Sequence, residues 1–280
     1  MATGEEAVHM NNAALGLAGK PATAARMYDY FLGGVHNFPA DRDAARRVIE
    51  QYPLFPQWAV ANRAFLRRAV RYLLRHGIRQ FLDLGSGIPT VGNVHEIAHE
   101  FASDARVVYV DIDSVAVAES LEILDGNKLA TAIRADLRDP RAILDHPDVR
   151  AILDFERPVG LLLAAVLHFV PEDEQAYGGV EQLVAALAPG SYLTVSHVAT
   201  ESLPISSTRT KNAVEVYTRQ TATSGKPRDR EQVERFFTGL ELVEPGVAWL
   251  HDWRPDPNDT TKVPANPTDG GEWAAVGRKG

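Results

Sequence analysis

The chain has 280 residues, 45% of them hydrophobic, a formal charge of −8 and no cysteine. That composition can bury one large core; the acidic balance disfavours a phosphate-tracking nucleic-acid surface, and the lack of cysteine excludes disulfides and thiolate metal or nucleophile sites. No run approaches the ~18 apolar residues of a membrane span, and MATGEEAVHMNNAALGLAGK lacks the basic end and apolar stretch of a secretion signal, so a cytoplasmic protein with a small-molecule partner, no nucleic acid, no membrane and an unspecified oligomeric state is expected.

Residues 1–20 are small, polar and aperiodic and read as a mobile leader. PATAARMYDYFLGG follows as a helix, with Met27, Phe31 and Leu32 at helical spacing and a stop at Gly33 and Gly34. A short second helix is expected over Asp41 to Gln51, and a third carries the stripe Phe65, Leu66, Ala69, Val70, Leu73 and Leu74 before Gly77. Residues 21–79 are expected to form an N-terminal helical cap and residues 80–280 the main domain.

Beyond Gly77, short apolar runs alternate with helical stretches, the signature of a parallel sheet. Strands are expected at Gln80–Leu84, Arg106–Val110, Ala130–Arg134, Val159–Ala164 and Tyr192–Ser196, and helices at Thr90–Ala102, Ser114–Leu124, Pro140–Leu144 and Tyr177–Leu187. Right-handed crossovers wind such units into a doubly wound α/β fold with helices on both faces. Helices near Lys211–Thr221 and Asp229–Phe237 then precede LELVEPGVAWL, the surface loop HDWRPDPNDTTKVPANPTDGG and a last strand in EWAAVGRK. Two strands with no helix between them should pair antiparallel.

QFLDLGSGIPTVGN sets Asp83, Gly85 and Gly87 at the end of the first strand and before a helix, where bare backbone and unpaired N–H groups can approach a ligand. Ile88, Pro89 and Thr90 follow Gly87, so the third glycine of the dinucleotide pattern is missing, which argues against a pyrophosphate cradle. In VVYVDID, Asp111 ends the second strand, with Ile112 beside it. A carboxylate there can accept hydrogen bonds from both hydroxyls of a ribose; the competing role, capping the helix that starts near Ser114, suits Asp113 better than Asp111. Asp136, after the third strand in AIRADLRDP, can accept the exocyclic amine of adenine while Leu137 packs on the ring, or else cap the next helix. Acids at three strand ends in this order are more specific than any one of them.

His95, Glu96 and His99 match the zinc pattern H-E-x-x-H, which puts two imidazoles on one helical face. A third ligand would have to be Glu119 or Glu122, neither in a companion motif, so no metal is expected. The run Arg63, Arg67, Arg68, Arg71, Arg75 and Arg79 reads as a solvated face on the third helix and just after it.

Together, ARMYDYFLGGVHNFPADRD, DLGSGIPTVGNVHEIA, VVYVDID, LLAAVLHFVPEDE and LVEPGVAWLHDWRPD resemble a bacterial family of S-adenosylmethionine-dependent methyltransferase-like proteins, long catalogued as a domain of unknown function, over nearly the whole chain from Pro21. The resemblance implies S-adenosyl-L-methionine as cofactor and the class I methyltransferase fold, a seven-stranded, mostly parallel Rossmann-like sheet. It also implies Asp83, Gly85 and Gly87 near the methionine part, Asp111 on the ribose with Ile112 alongside, Asp136 and Leu137 near adenine, and no particular acceptor. Methyl transfer depends mainly on positioning and needs a base only when the acceptor carries a proton. His168, beyond the fourth strand, is the candidate base, with a packing or capping histidine as the alternative. Tyr28, Asp29, His36 and Asn37 are expected to close as a lid, Tyr28 and Asn37 touching the cofactor, with helix packing as their alternative. Competing functions are a non-catalytic S-adenosylmethionine sensor, a zinc hydrolase through HEIAH and an NAD-dependent dehydrogenase using the same ribose acid.

Overall fold

The computed structural model describes residues 21–89, 92–203, 225–257, 266, 269 and 271–280. The expected leader, the helix start placed at Thr90, the helix near Lys211–Thr221 and much of the Pro-rich loop lie outside the described residues.

Five parallel strands, β1 (Gln80–Leu84), β2 (Arg106–Asp111), β3 (Ala130–Arg134), β4 (Gly160–Ala164) and β5 (Tyr192–Val198), pair in the order β3-β2-β1-β4-β5. β8 (Glu272–Arg278) runs antiparallel along β5 and pairs antiparallel with both β6 (Glu241–Leu242) and β7 (Ala248–Trp249). The sheet therefore has eight strands where seven were expected. LELVEPGVAWL breaks in two because Pro245 offers no N–H to a ladder and Gly246 turns back to bond Val243 O at 2.8 Å.

Side-chain parity divides the sheet between two cores. Leu82, Leu84, Val108, Val110, Leu161, Leu163, Leu193 and Val195 share one core with α6 (Pro140–Leu144), α7 (Pro147–Ile152), α8 (Asp173–Ala185) and α9 (Arg230–Glu234). Phe81, Val107, Tyr109, Leu162, Tyr192, Ala274 and Val276 face the other way, against α3 (Phe55–Arg75) and α4 (Val94–Phe101). The predicted stripe of α3 is buried there in full, so this helix is part of the sandwich itself. Each of the larger apolar side chains there contributes roughly 1.5–3 kcal/mol on burial. α1 (Ala24–Phe31) and α2 (Pro39–Gln51) instead form a smaller cluster around Met27, Ala44, Ala45, Val48 and Ala59.

Local chemistry sets the boundaries. α4 begins at Val94 rather than near Thr90, because the Glu96 carboxylate accepts the Asn93 N–H at 2.8 Å and fixes the first turn there. α7, six residues starting at Pro147, is too short for a period to reveal. Among the described residues no helix is long and apolar enough to cross a membrane.

The sheet order reverses between β1 and β4, and in open α/β sheets ligands bind outside the carboxyl ends at such a switch point. α1 is tied to this edge by one acid. Asp113 caps α5 (Ser114–Ile123) by accepting the Val115 N–H at 2.9 Å, and its other oxygen accepts from the Thr23 hydroxyl and from Arg26 at 3.1 Å. Arg26, 2% exposed, also pairs with Asp41 of α2 at 2.8 Å, so a buried guanidinium with two carboxylate partners locks both helices to the sheet edge.

Candidate functional site

A cleft of about 770 Å³ opens at the carboxyl ends of the strands and runs beneath α1 and α3, a size within the ~300–1,000 Å³ usual for small-molecule sites. Asp83, Gly85, Gly87, Asp111, Ile112, Asp136, Leu137, His168 and Tyr28 all line it.

The turn after β1 is shaped by its backbone. Gly85 and Ser86 both donate to Val110 O, at 2.7 and 3.2 Å, which folds the loop over the end of β2. Gly85 (φ +70°) has no room for a side chain, since a Cβ would lie 2.2 Å from Val166 Cγ2. Gly87 (φ +66°) is left-handed too, but a Cβ there would meet nothing within 4 Å. The first glycine permits packing, the second keeps a stretch of backbone bare.

Asp111 faces this turn. Its Oδ2 accepts the Gly87 N–H at 2.8 Å and its Oδ1 the Asp113 N–H at 2.8 Å, so the carboxylate is held rigidly with lone pairs left on both oxygens. Burial pushes its proton affinity up, opposed by those N–H groups. Capping of α5 falls to Asp113, which leaves Asp111 to the cleft. Asp83 shares the face of Phe81, towards α3, and burial raises its carboxyl to about 7, Arg63 lowering it and Asp111 raising it. Asp136 is held by Arg138, whose Nε lies 2.9 Å from both oxygens and whose N–H reaches Oδ1 at 2.9 Å, and this partner depresses its pKa. The helix cap considered for Asp136 is made by Asp139, which accepts the Ala142 N–H at 3.0 Å.

The lid expectation needs correction. Asn37 is buried, its amide donates to Asp29 at 2.7 Å and Gly34 O at 2.9 Å, and its carbonyl oxygen accepts from Arg42, so it is spent on helix packing and is absent from the cleft wall. Asp29 is its partner and His36 lies 2.7 Å from Glu119 of α5, both off the cleft wall as well. Only Tyr28 of the four reaches it, with its hydroxyl donating to Ala59 O at 3.1 Å and accepting from Asn62 at 2.9 Å.

His168 follows β4 and lines the cleft but is a poor base. Its Nδ1 is sealed from solvent without a partner among the described residues, and burial, followed by the Arg228 charge, lowers its pKa to about 3. A neutral imidazole of such low proton affinity takes a proton weakly near pH 7. Arg228, fully buried, was not foreseen at all. It donates to Leu167 O, Val170 O and Asp173, and to His197 Nε2 at 3.0 Å, which fixes the His197 proton on Nδ1 facing Val198 O. Also missed were Arg63, Asn62 and Glu272, which line the α3 face of the cleft, and Ser196, bonded to Asn62 behind them, so that three distant segments meet there.

HEIAH is structural. The Tyr109 hydroxyl accepts the His95 N–H at 2.8 Å and lies 2.7 Å from its Nδ1, His99 Nε2 donates to Ala105 O at 3.0 Å, and Glu96 is the α4 cap. The arginine run is likewise no idle solvated face. Arg63 enters the cleft, Arg68 donates to Trp253 O at 3.1 Å, and Arg71 faces Glu100 and Asp256 at 3.6 and 3.7 Å.

A bare glycine turn opposite a fixed strand-end acid, at the switch point of a 3-2-1-4-5 sheet with an antiparallel strand beyond β5, is the arrangement of a class I S-adenosylmethionine-binding α/β protein. The open space at Gly87 and the carboxyl groups around it suit a nucleoside bearing positive charge. A family model described as S-adenosyl methyltransferase matches residues 11–280. A DUF574 family protein from Streptomyces avermitilis is 39% identical over 93% of this chain and 98% of its own, with a TM-score of 0.86. A candidate methyltransferase from Thermobifida fusca is 40% identical over 93% and 95%, with a TM-score of 0.83. An O-methyltransferase family protein from Burkholderia thailandensis, 13% identical over 93% of this chain and 64% of that one, shares the fold at a TM-score of 0.51. No curated protein matches the chain. The chain belongs to the S-adenosyl methyltransferase family and is an S-adenosylmethionine-dependent methyltransferase.

Proposed function

We propose that the chain methylates a small molecule held between the strand ends and the α1–α3 helices. The observation that carries this reading is the Asp111 carboxylate, pinned by the Gly87 and Asp113 N–H groups inside a cleft of about 770 Å³ whose wall continues to Phe31, Tyr52, Phe55 and Trp58. When bound, S-adenosylmethionine supplies an activated methyl group on a sulfonium. Asp111 would hold the ribose hydroxyls, the backbone at Gly85 and Gly87 would admit the methionine part beside Asp83, and Leu137 and Ile112 would flank adenine, with Asp136 near its amine. Tyr28 and the α1–α2 pair, anchored through Arg26 and Asp113, would shut water out of the opposite side.

Incubating the protein with a donor carrying an isotope-labelled methyl group and a fractionated bacterial extract tests this. The label is expected in the low-mass fraction, and its appearance only in protein or nucleic acid would overturn the small-molecule acceptor. Absence of label from every fraction, with the donor bound, would favour a sensor instead.

A further inference from the structure

The α3 face of the cleft carries a constellation that cofactor binding leaves unused. Glu272 opens β8 and shares the inward parity of Ala274 and Val276, with 5% of its surface exposed. Its Oε2 has no hydrogen-bond partner among the described residues, although it sits on the cleft wall. The Ser196 hydroxyl, bonded to Asn62 Oδ1 at 2.6 Å, is its polar neighbour, and no described cation forms an ion pair with it. A carboxyl group buried this way, with an oxygen idle, is costly unless something arrives to bind it.

What stands beside it indicates the visitor. A Cβ on Gly271 would fall 2.3 Å from the Trp58 ring, so the indole rests on the backbone next to Glu272, held there by its N–H donating to Asp269 O at 2.7 Å. Phe55 lies 5.0 Å from Trp58 between ring centres, Tyr52 6.4 Å from Trp58 and Phe31 5.6 Å from Phe55, and all four line the cleft. Aromatic faces attract cations, a buried carboxylate attracts them more strongly, and the pair together repels an anion.

We propose that Glu272 and the aromatic wall of Trp58, Tyr52, Phe55 and Phe31 form the methyl-acceptor subsite, and that the acceptor is an amine bound as its ammonium ion, with Glu272 taking its proton. This rests on the reading of the cleft as the S-adenosylmethionine site. The ammonium ion gives one N–H proton to the Glu272 carboxylate. The freed nitrogen lone pair then forms the new N–C bond as the methyl carbon's bond to sulfur breaks, the electron pair staying on sulfur, so that an N-methylammonium ion and a thioether result. Burial pushes the Glu272 carboxyl up to about 8, nearer to an ammonium ion than an ordinary carboxyl is, which eases that transfer. Tyr28, itself raised to about 12, and Ser196 stand beside it, and the Arg63 guanidinium, which with Glu272 acts on Tyr28, is the cation on the same face of the cleft. Near neutral pH the empty site therefore keeps Glu272 protonated, and an arriving ammonium ion displaces that proton to solvent.

The test is calorimetry at pH 7 on the full chain saturated with S-adenosylhomocysteine, using benzylamine, benzyl alcohol and benzoate as probes. Benzylamine is expected to bind about tenfold more tightly than either other probe, with proton release read as a buffer-dependent heat. Glu272→Gln should remove the preference and the proton release while leaving S-adenosylhomocysteine affinity unchanged. Trp58→Leu should weaken benzylamine and keep the proton release, which decides the matter even where Glu272→Gln folds poorly. Equal binding of the three probes, binding of none, a preference that survives Glu272→Gln, or loss of S-adenosylhomocysteine affinity in that variant overturns the proposal. In all these cases wild type still binds S-adenosylhomocysteine, whereas a wild type that fails to bind it overturns the cofactor reading and this proposal with it.

Discussion

At the ends of β1 and β2 the cleft is made of turn backbone and of acids, Asp111 among them held in place by two backbone N–H groups, all within residues 83–87 and 111–113. Across from them, beneath α3, the wall is brought together from residues 28, 52–63 and 272, with Tyr28 linked through Asn62 to Ser196 behind it. The first half is short in sequence and fixed by conformation, as suits a ligand that never changes. The second half is assembled by the fold, so single substitutions can retune it without touching the glycine turn.

The sharpest way to break that contrast is at the two glycines. Gly85→Ala, with a Cβ 2.2 Å from Val166 and a left-handed φ, is expected to cost about 3 kcal/mol of stability in urea unfolding. Gly87→Ala should cost only about 1 kcal/mol, the strain of its φ, and should instead weaken S-adenosylhomocysteine. Equal stability losses would remove the distinction between a packing glycine and a ligand-facing one. Next in size, Asp111→Ala is expected to weaken S-adenosylhomocysteine by about 1.5–3 kcal/mol, the scale of hydrogen bonds to a charged group, and unchanged affinity would take Asp111 out of the site.

A smaller effect concerns pH. Between about pH 4.5 and 8 the unfolded chain has released the Glu272 proton while the folded chain still holds it, so stability falls as pH rises through that window and levels off above it. Wild type should therefore lose about 1–3 kcal/mol relative to Glu272→Gln across it, measured by denaturation of the empty protein at a series of pH values; a constant difference would show that Glu272 ionises normally. Smallest of all, His99→Gln should change stability by no more than about 0.5 kcal/mol, with metal analysis the same before and after. A tightly held zinc lost on that change would restore the metal reading of HEIAH.

The half of the cleft at the ends of β1, β2 and β3 was legible because its acids sit at or just beyond strand ends, where an apolar run followed by Asp111 or Asp136 announces its place. The parallel sheet was legible for the same reason, alternation being a local signal, whereas the order of its strands is set by the fold. Glu272 was not, since nothing near EWAAVGRK reveals that its first residue lands beside Trp58, more than two hundred positions earlier. Arg228 was hidden likewise, as its partners come from residues 167–173 and 197. HEIAH has the spacing of a zinc motif because a capping glutamate is flanked by two histidines, each with an oxygen partner nearby. Asn37 shows the limit of a motif, its side chain joining Asp29 of α1 to Arg42 of α2.

The central claim is that Asp111, facing the bare turn at Gly87, grips the ribose of an adenosyl ligand. Calorimetric titration of S-adenosylhomocysteine, with NAD as the control, measures it most directly. The expected result is one site per chain for S-adenosylhomocysteine at micromolar concentration and no comparable heat from NAD. Silence from S-adenosylhomocysteine at millimolar concentration, or equal binding of NAD, would contradict it.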